Sequence, residues 1–377
     1  MQVTHIITGL NNGGAEAVLY RLCTNDTGAT HTVISLMDMG KYGSMLEKAG
    51  ITVHCLNMPQ GKVTLSGLRK LYTLLKKGKP DAVQTWMYHA DLIGGVIAKL
   101  AGVKKVFWNI RHSTLEAGKS KRSTIVIAKL CARLSKRVPT GIVCCADEAL
   151  AVHAAIGYDK SKMTVIYNGY RLDQFNINTE AGNAVKQELD IAHVPLVLGL
   201  VGRFNPQKDH ANLLNALALL KEKHKYFVCL LVGAGINPDN TELYEQLKSL
   251  GLLEHVHLLD QRSDIPAVMN ALDVHVLSST TEGFPNVVAE AMACGTPCVT
   301  TDVGDAGLIV GDTGWVVPPR NAEALADAIE QALLEKKNKP EAWQQRKQAS
   351  RARIEENFSV EKMVEKYHRV WEHSDSI

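Results

Sequence analysis

Short apolar runs alternate with stretches of helical periodicity, and the whole pattern occurs twice along the chain; no other feature of this sequence constrains the fold as much. In the first series Val3–Thr8, His31–Met37, Val53–Leu56, Ala82–Thr85, Lys105–Ile110, Gly141–Cys145 and Thr164–Tyr167 read as strands. Between them Ala15–Cys23, Leu65–Lys77, Ala90–Leu100, Lys121–Lys136 and Ala146–Ala155 repeat their apolar positions at helical spacing. A parallel partner strand is reached only through a crossover, so strands alternating with helices of this length form parallel βαβ units.

The polar stretch from Asn168 to His193 breaks the pattern, and a second series of strands follows at Leu196–Val201, Phe227–Val232, Val256–Leu259, Val274–Leu277, Pro297–Thr301 and Trp315–Val317. From Asn321 onward the pattern is helical, including Glu361–Glu372 with Tyr367 and Trp371. Placing the boundary inside the break gives an N-terminal domain over 1–180 and a C-terminal domain over 181–377, with the last helix able to pack back on the first. The expected fold class is α/β: two Rossmann-like domains whose parallel sheets face a central cleft, with C-terminal helices. Open parallel sheets bind ligands outside the carboxyl ends of their strands, so the site is expected in that cleft.

Composition narrows the class. With 46% hydrophobic and 21% charged residues the chain has the balance of a globular protein. The start, Met1-Gln2-Val3-Thr4-His5, has no basic n-region, and no uncharged apolar run approaches the ~18 residues of a membrane span, so a cytosolic setting is expected. Eight cysteines show no paired C-x-x-C framework, which argues against a disulfide scaffold or structural zinc; Cys294 and Cys298 read as small packing residues. The net charge of +3 hides an asymmetry: residues 1–180 hold 23 Lys and Arg against 12 Asp and Glu, whereas 181–377 hold 19 against 27. A basic half points to a polyanionic neighbour, a nucleic acid or an anionic membrane.

Two segments carry chemistry. In the first, Ser278 to Pro297, a strand ends in a Gly/Pro loop, Pro285 stands at a helix entrance, and the amides of Asn286 and Val287 form an anion-favouring helix N-terminus. Glu282 falls in the loop and Glu290 one turn into the helix, and carboxylates so placed accept hydrogen bonds from sugar or ribose hydroxyls. In the second, Gly202-Arg203-Phe204-Asn205-Pro206-Gln207-Lys208, two cations project from the carboxyl edge of a strand. Arg offers a fork to phosphate oxygens and Lys a point charge.

Together these segments resemble the retaining glycosyltransferases of family 4, which have the GT-B architecture. The resemblance rests on Gly202-Arg203 with Lys208, Glu282-Gly283-Phe284-Pro285 continuing to Glu290-Ala291-Met292 and Gly295-Thr296-Pro297, Gly13-Gly14-Ala15-Glu16, and Tyr167-Asn168-Gly169. It implies that Arg203 and Lys208 neutralise the diphosphate of a nucleotide-sugar donor, that Glu290 binds the ribose, and that Glu282 contacts the sugar. By the same resemblance Gly13 and Gly14 bring a loop backbone to the phosphates, Phe284, Pro285, Asn286, Val287 and Arg262 belong to the donor-binding set, and His112 reaches the donor sugar. The implied setting is bacterial envelope polysaccharide or lipid-linked oligosaccharide assembly, with UDP-sugar the first expectation for the donor and GDP-sugar the second.

The chain departs from the family pattern at Gly304-Asp305 and at Asn168-Gly169-Tyr170-Arg171, which bears on donor-sugar selection. No Asp-x-Asp motif is present, so no metal and no cofactor is expected, and protein cations must meet the diphosphate instead. Other readings are a GT-B epimerase or hydrolase and a non-catalytic nucleotide-sugar-binding module. A dehydrogenase is disfavoured because Gly233-Ala234-Gly235-Ile236-Asn237-Pro238 lacks the third glycine. Nucleic acid is disfavoured because the basic half lacks interleaved aromatics. Finally, Arg122, Lys129, Arg133 and Lys136 fall on one stripe of a helix and Ile127, Leu130, Cys131 and Leu134 on another, so the basic stripe is expected to face water or the anionic membrane of a lipid-linked acceptor.

Overall fold

The computed structural model describes residues 1–11, 13–111, 115 and 122–372. The chain divides into two compact units: unit 1 is Met1–Gly169 with Val360–Ile377, and unit 2 is Tyr170–Ser359. The sequence boundary at 180 thus lies inside unit 2, and the chain crosses between units again at Ser359 and Val360.

Unit 1 runs β1 (Gln2–Ile7), α1 (Gly14–Asn25), β2 (Thr30–Ser35), α2 (Gly40–Lys48), β3 (Thr52–Cys55), α3 (Leu65–Gly78), β4 (Ala82–Trp86), α4 (Tyr88–Leu100), β5 (Lys105–Ile110), α5 (Arg122–Leu134), β6 (Gly141–Cys144), α6 (Asp147–Ala155) and β7 (Met163–Val165). Unit 2 continues with α7 (Thr179–Glu188), β8 (Val197–Val201), α8 (His210–Lys223), β9 (Val228–Val232), α9 (Thr241–Ser249), β10 (Val256–Leu258), α10 (Ile265–Ala271), β11 (Val274–Leu277), α11 (Asn286–Ala293), β12 (Cys298–Thr301), α12 (Ala306–Val310), β13 (Trp315–Val317), α13 (Ala322–Asn338) and α14 (Pro340–Asn357); α15 (Val360–Glu372) belongs to unit 1.

Each unit holds one parallel sheet, in the order β3-β2-β1-β4-β5-β6-β7 in unit 1 and β10-β9-β8-β11-β12-β13 in unit 2. Alternation along the strands sends successive side chains to opposite faces. In unit 1, Ile6, Val83, Val106 and Trp108 pack under α3, α4 and α5, whereas Ile7, Trp86 and Phe107 pack under α1, α2 and α15. In unit 2, Leu198, Leu200, Val274 and Val276 pack under α8, α9 and α13.

Two helices are absent from the sequence reading. The α2 segment anchors through little more than Leu46, and its two glycines read as a loop. The α7 segment lies within the polar break; Asn178 caps it by accepting from Ala181 N at 2.9 Å, and Gly182 lets it approach α10 so closely that a Cβ would press on the Asn270 carbonyl. The stripe expected to be buried on α5 is also corrected. Ala128, Cys131 and Ala132 are buried there, but Leu130 is exposed. Ala128, Cys131 and Ala132 of α5 share the core with Ala98 of α4, while Gly94 and Gly95 let α4 lie close on Ile6 and Trp108 of the sheet.

Candidate active site

In unit 2, β8 has β9 on one side and β11 on the other, so the order of strands reverses direction between β8 and β11. Loops after the two strands diverge at such a switch point and leave a crevice at their carboxyl ends. Both sequence-selected segments sit there.

After β8, a single 3-10 turn at Pro206–Lys208 is capped by Asn205, whose side chain accepts from Gln207 N at 2.8 Å. Asp209 then adopts a left-handed conformation (φ 48°) and caps α8 with its carboxylate. The turn delivers Lys208 toward the loop after β11: Ser278 Oγ donates to the Lys208 carbonyl at 2.7 Å and Thr280 N to the Gln207 carbonyl at 2.8 Å. Lys208 Nζ meets Glu282 Oε1 at 2.7 Å, and the buried Ser279 donates its hydroxyl to the same carboxylate oxygen at 2.7 Å. The side chains of Lys208 and Glu282 are only 19% and 17% exposed, so the pair is partly withdrawn from water and its attraction exceeds that of a surface ion pair.

Backbone geometry makes room for these loops. Gly233 (φ 152°) lies where a Cβ would strike the Gly202 carbonyl, and Gly304 (φ 53°) where one would strike the Gly283 carbonyl. Asp305 N donates to that carbonyl at 2.9 Å, and Thr301 Oγ1 holds the Ser279 carbonyl at 2.7 Å. Phe284 is buried, stacked on Tyr170 and edge-on to Phe358. Tyr170 OH donates to Asn286 Oδ1 at 2.6 Å. Pro285 ends the loop as the residue before α11 and offers no side-chain cap; Val288 N turns back to the Pro285 carbonyl at 3.1 Å, whereas Val287 N comes before the first intrahelical acceptor. Glu290 is half-buried one turn into α11.

Arg203 is exposed at the end of β8, and none of its side-chain nitrogens makes a hydrogen bond or ion pair among the described residues. Two imidazoles near Lys208 stay neutral. Burial, and then the charge of Lys208, lowers His210 to about 4 and His275 to about 3. Neither ring nitrogen of His275 finds a partner among the described residues.

Other sequence-selected residues lie elsewhere. Arg262 is held between α7 and α10, its guanidinium donating to both carboxylate oxygens of Glu188 (2.7 and 2.9 Å) and to Asp264 (2.8 and 2.7 Å). Those hydrogen bonds raise its pKa above the ordinary value. In unit 1, Gly13 precedes α1 in extended backbone, and a Cβ there would press on the Glu16 carboxylate, whereas one at Gly14 would meet open space. His112 lies outside the described residues.

A buried polar chain in unit 1 escaped sequence reading. Trp86 Nε1 donates to His5 Nδ1 (3.2 Å), which leaves the His5 proton on Nε2 to meet His31 Nδ1 (2.9 Å) and the His31 proton on Nε2 to meet Asp26 Oδ2 (3.1 Å). His368 Nε2 reaches both Asp26 oxygens at 2.8 Å. Burial alone would raise Asp26, but hydrogen bonds from His31, His368 and Gly28 N overcome it and hold the carboxyl at about 2. His5, Cys23 and His31 bring potential ligand atoms within 4.8 Å of one another. The hydrogen-bond order occupies both lone pairs of the two imidazoles, and burial pushes the Cys23 thiol well up, so the cluster is a closed clasp. The signal for it was a histidine inside an apolar strand.

The two units match two family descriptions in tandem: "Glycosyltransferase Family 4" over residues 12–174 and "Glycosyl transferases group 1" over 183–350. The chain belongs to these glycosyltransferases and has the GT-B fold. Among known proteins it is similar to the UDP-Gal:alpha-D-GlcNAc-diphosphoundecaprenol alpha-1,3-galactosyltransferase of Escherichia coli, with 28% identity over 270 residues covering 70% of this chain and 69% of that enzyme. It is also similar to the capsular polysaccharide biosynthesis glycosyltransferase CapM of Staphylococcus aureus, with 25% identity over 284 residues covering 71% of each. The crystal structure of Anabaena HepE in complex with UDP superposes with a TM-score of 0.86 at 22% identity, over 98% of this chain and 99% of that one, which shows a shared fold. Among the described residues, no helix is long and apolar enough to cross a membrane.

Proposed function

We propose that this glycosyltransferase moves a sugar, with retention at its anomeric carbon and without a metal ion, from a UDP-sugar to a lipid-linked or glycan acceptor of envelope polysaccharide assembly, working at the cytoplasmic face of a membrane. The observation that carries the reading is the Lys208–Glu282 pair beside an uncommitted Arg203 at the switch point of unit 2. As the bond from C1 to the phosphate oxygen breaks, negative charge grows on the leaving diphosphate. Arg203 and Lys208 bind that charge more strongly than they bind the ground state. Glu282 holds Lys208 in place and accepts from the donor sugar, and Glu290 accepts from the ribose. The leaving phosphate is the base on the same face as the incoming acceptor hydroxyl, which yields retention. UDP is supported by the UDP-Gal named for the Escherichia coli relative and the UDP bound to HepE. As part of this reading, unit 1 meets an anionic membrane through Arg122, Lys129, Arg133 and Lys136.

The test offers UDP- and GDP-sugars with a lipid-linked acceptor and follows the product anomer by NMR. Transfer with retention, undiminished by EDTA, is expected. A rate abolished by EDTA and restored by Mg²⁺ would overturn the metal-free mechanism, and an inverted anomer would overturn retention. Turnover of donor without acceptor would make the chain an epimerase or hydrolase.

A further inference from the structure

We infer that Tyr170 is a positioning residue for the transfer reaction: its hydroxyl, acting through the Asn286 side chain, sets the first turn of α11 against the donor. This role rests on the reading above, which puts the donor diphosphate in the crevice of unit 2 where α11 begins. Tyr170 is the first residue of unit 2 and is completely buried. Its backbone N donates to the Phe358 carbonyl at 2.9 Å, and it forms a parallel bridge with Ser359, so the segments by which the chain enters and leaves unit 2 are tied side by side. Its ring stacks on Phe284, with centroids 6.4 Å and planes 18° apart, and Phe358 meets the same Phe284 edge-on at 5.7 Å. A ring enclosed in this way holds its hydroxyl in one place, 2.6 Å from Asn286 Oδ1.

The destination of that hydroxyl separates positioning from the ordinary needs of a core. Any nearby carbonyl satisfies the O–H of a buried tyrosine. This one reaches the side chain of the first residue of α11, at the end of the loop that carries Glu282. Earlier parts of the loop are held from other elements: Thr280 N on the Gln207 carbonyl at 2.8 Å, Thr301 Oγ1 on the Ser279 carbonyl at 2.7 Å, and Asp305 N on the Gly283 carbonyl at 2.9 Å. Past Phe284 comes Pro285, which has no N–H to donate, and α11 starts without a side-chain cap. The far end of α11 is fixed separately, by Arg351 of α14, which donates to the carbonyls of Ala293 and Phe175 at 2.5 Å each. A short helix held at its far end and uncapped at its start frays from the first turn, and the bond from Tyr170 restrains the residue where fraying begins. Val288 and Ala289 are buried, whereas Asn286, Val287 and Glu290 are partly exposed, and Val287 N has no acceptor among the described residues. The restrained turn therefore carries an open amide and leads to the Glu290 carboxylate. A donor to a leaving diphosphate works by standing in place before the charge develops, so a displaced amide costs rate more than ground-state binding.

The test is a cycle of Tyr170→Phe, Asn286→Ala and the double variant in the full-length protein, read first as the Kd of UDP by titration calorimetry. UDP already carries the charge that the transition state is still developing, so the restraint should count in full. Tyr170→Phe is expected to weaken UDP about tenfold, Asn286→Ala at least as much, and the double variant no more than Asn286→Ala alone. In turnover of a UDP-sugar, Tyr170→Phe should lower kcat about tenfold and leave donor KM within about twofold. Phe358→Leu loosens the same aromatic cluster but keeps the hydroxyl; it should lower the unit 2 unfolding transition and bind UDP within about twofold of the wild type. The assignment is overturned by wild-type UDP binding in Tyr170→Phe, by single-variant effects that multiply in the double variant, or by a loss in Phe358→Leu equal to that in Tyr170→Phe. Should Tyr170→Phe fail to fold, Asn286→Ala removes the same hydrogen bond from a partly exposed position, and unchanged UDP binding there overturns it equally. Lys208→Ala keeps the two readings apart. Where it weakens UDP and Tyr170→Phe does not, only the positioning role falls; where the wild type itself fails to bind UDP, the donor site of unit 2 falls and the role of Tyr170 with it.

Discussion

Lys208 stands between two partners of opposite meaning: a carboxylate at 2.7 Å and, in the proposed mechanism, a diphosphate. Glu282 fixes the ammonium by one charge-assisted hydrogen bond and leaves two of its protons for phosphate oxygens. Removing either member should cost differently. Arg203→Ala and Lys208→Ala remove donors to developing charge, and each is expected to lower kcat/KM by about 10²–10³ with the fold intact. Glu282→Gln keeps the shape but releases Lys208, and is expected to lower kcat with donor KM little changed. Glu290→Gln removes binding that is equal in ground and transition states, so donor KM should rise while kcat holds. Steady-state kinetics of the four variants check the set, and near-normal turnover in Lys208→Ala would exclude the assignment. The cation and the carboxylates were legible in the sequence one by one. Their pairing was not, because 74 residues separate Lys208 from Glu282 and only the β8–β11 adjacency brings them together.

At the scale of the element, α15 shows how a terminal helix is held to a sheet that lies far from it in the chain. It buries Met363, Tyr367 and Trp371, with Trp371 Nε1 donating to Gln84 Oε1 (3.1 Å) and Asn109 Nδ2 donating to Tyr367 OH (2.8 Å). Trp371→Ala would leave a cavity against His5 and Gln84, and a loss of about 3–5 kcal/mol is expected in denaturant unfolding of unit 1. Asp26 adds a pH dependence. Its native pKa is about 2 against an ordinary 3.8, so its contribution is complete above pH 3.8 and disappears as pH falls toward 2. Asp26→Asn should cost about 2 kcal/mol at neutral pH and flatten stability across that window. Strands were legible because apolar runs bounded by turn residues leave little choice of element. Helix α7 was missed because Val185 is almost its only apolar anchor, and its place is set by Gly182 against α10, a contact that only the folded chain contains. The polar clasp of His5, His31, Asp26 and His368 was missed for the same reason: its members come from four separate elements and turns.

In the whole molecule, two sheets with separate cores imply two cooperative transitions, and the proposed chemistry assigns the donor to only one of them. If the diphosphate is bound at the switch point of unit 2, UDP should raise the unit 2 transition in calorimetry of the full chain, by about 2.7 kcal/mol at a hundred times its Kd, and leave unit 1 where it was. Acid should act on unit 2 in the opposite direction. His210 and His275 have native pKa values of about 4 and about 3 against an ordinary 6.5, so the unfolded chain takes up protons that the native one refuses. Their contribution is complete above pH 6.5 and is lost as pH falls toward those values, at no more than about 1.4 kcal/mol per pH unit for each. His5 in unit 1 is lowered in the same sense, so acid alone does not distinguish the units. His275→Leu does. It removes two ring nitrogens that have no partner among the described residues, and should raise the unit 2 transition and reduce its slope with pH while the unit 1 transition keeps its own. A UDP shift shared equally by both transitions would mean that the nucleotide is held by both units, and the assignment of donor binding to unit 2 alone would fall.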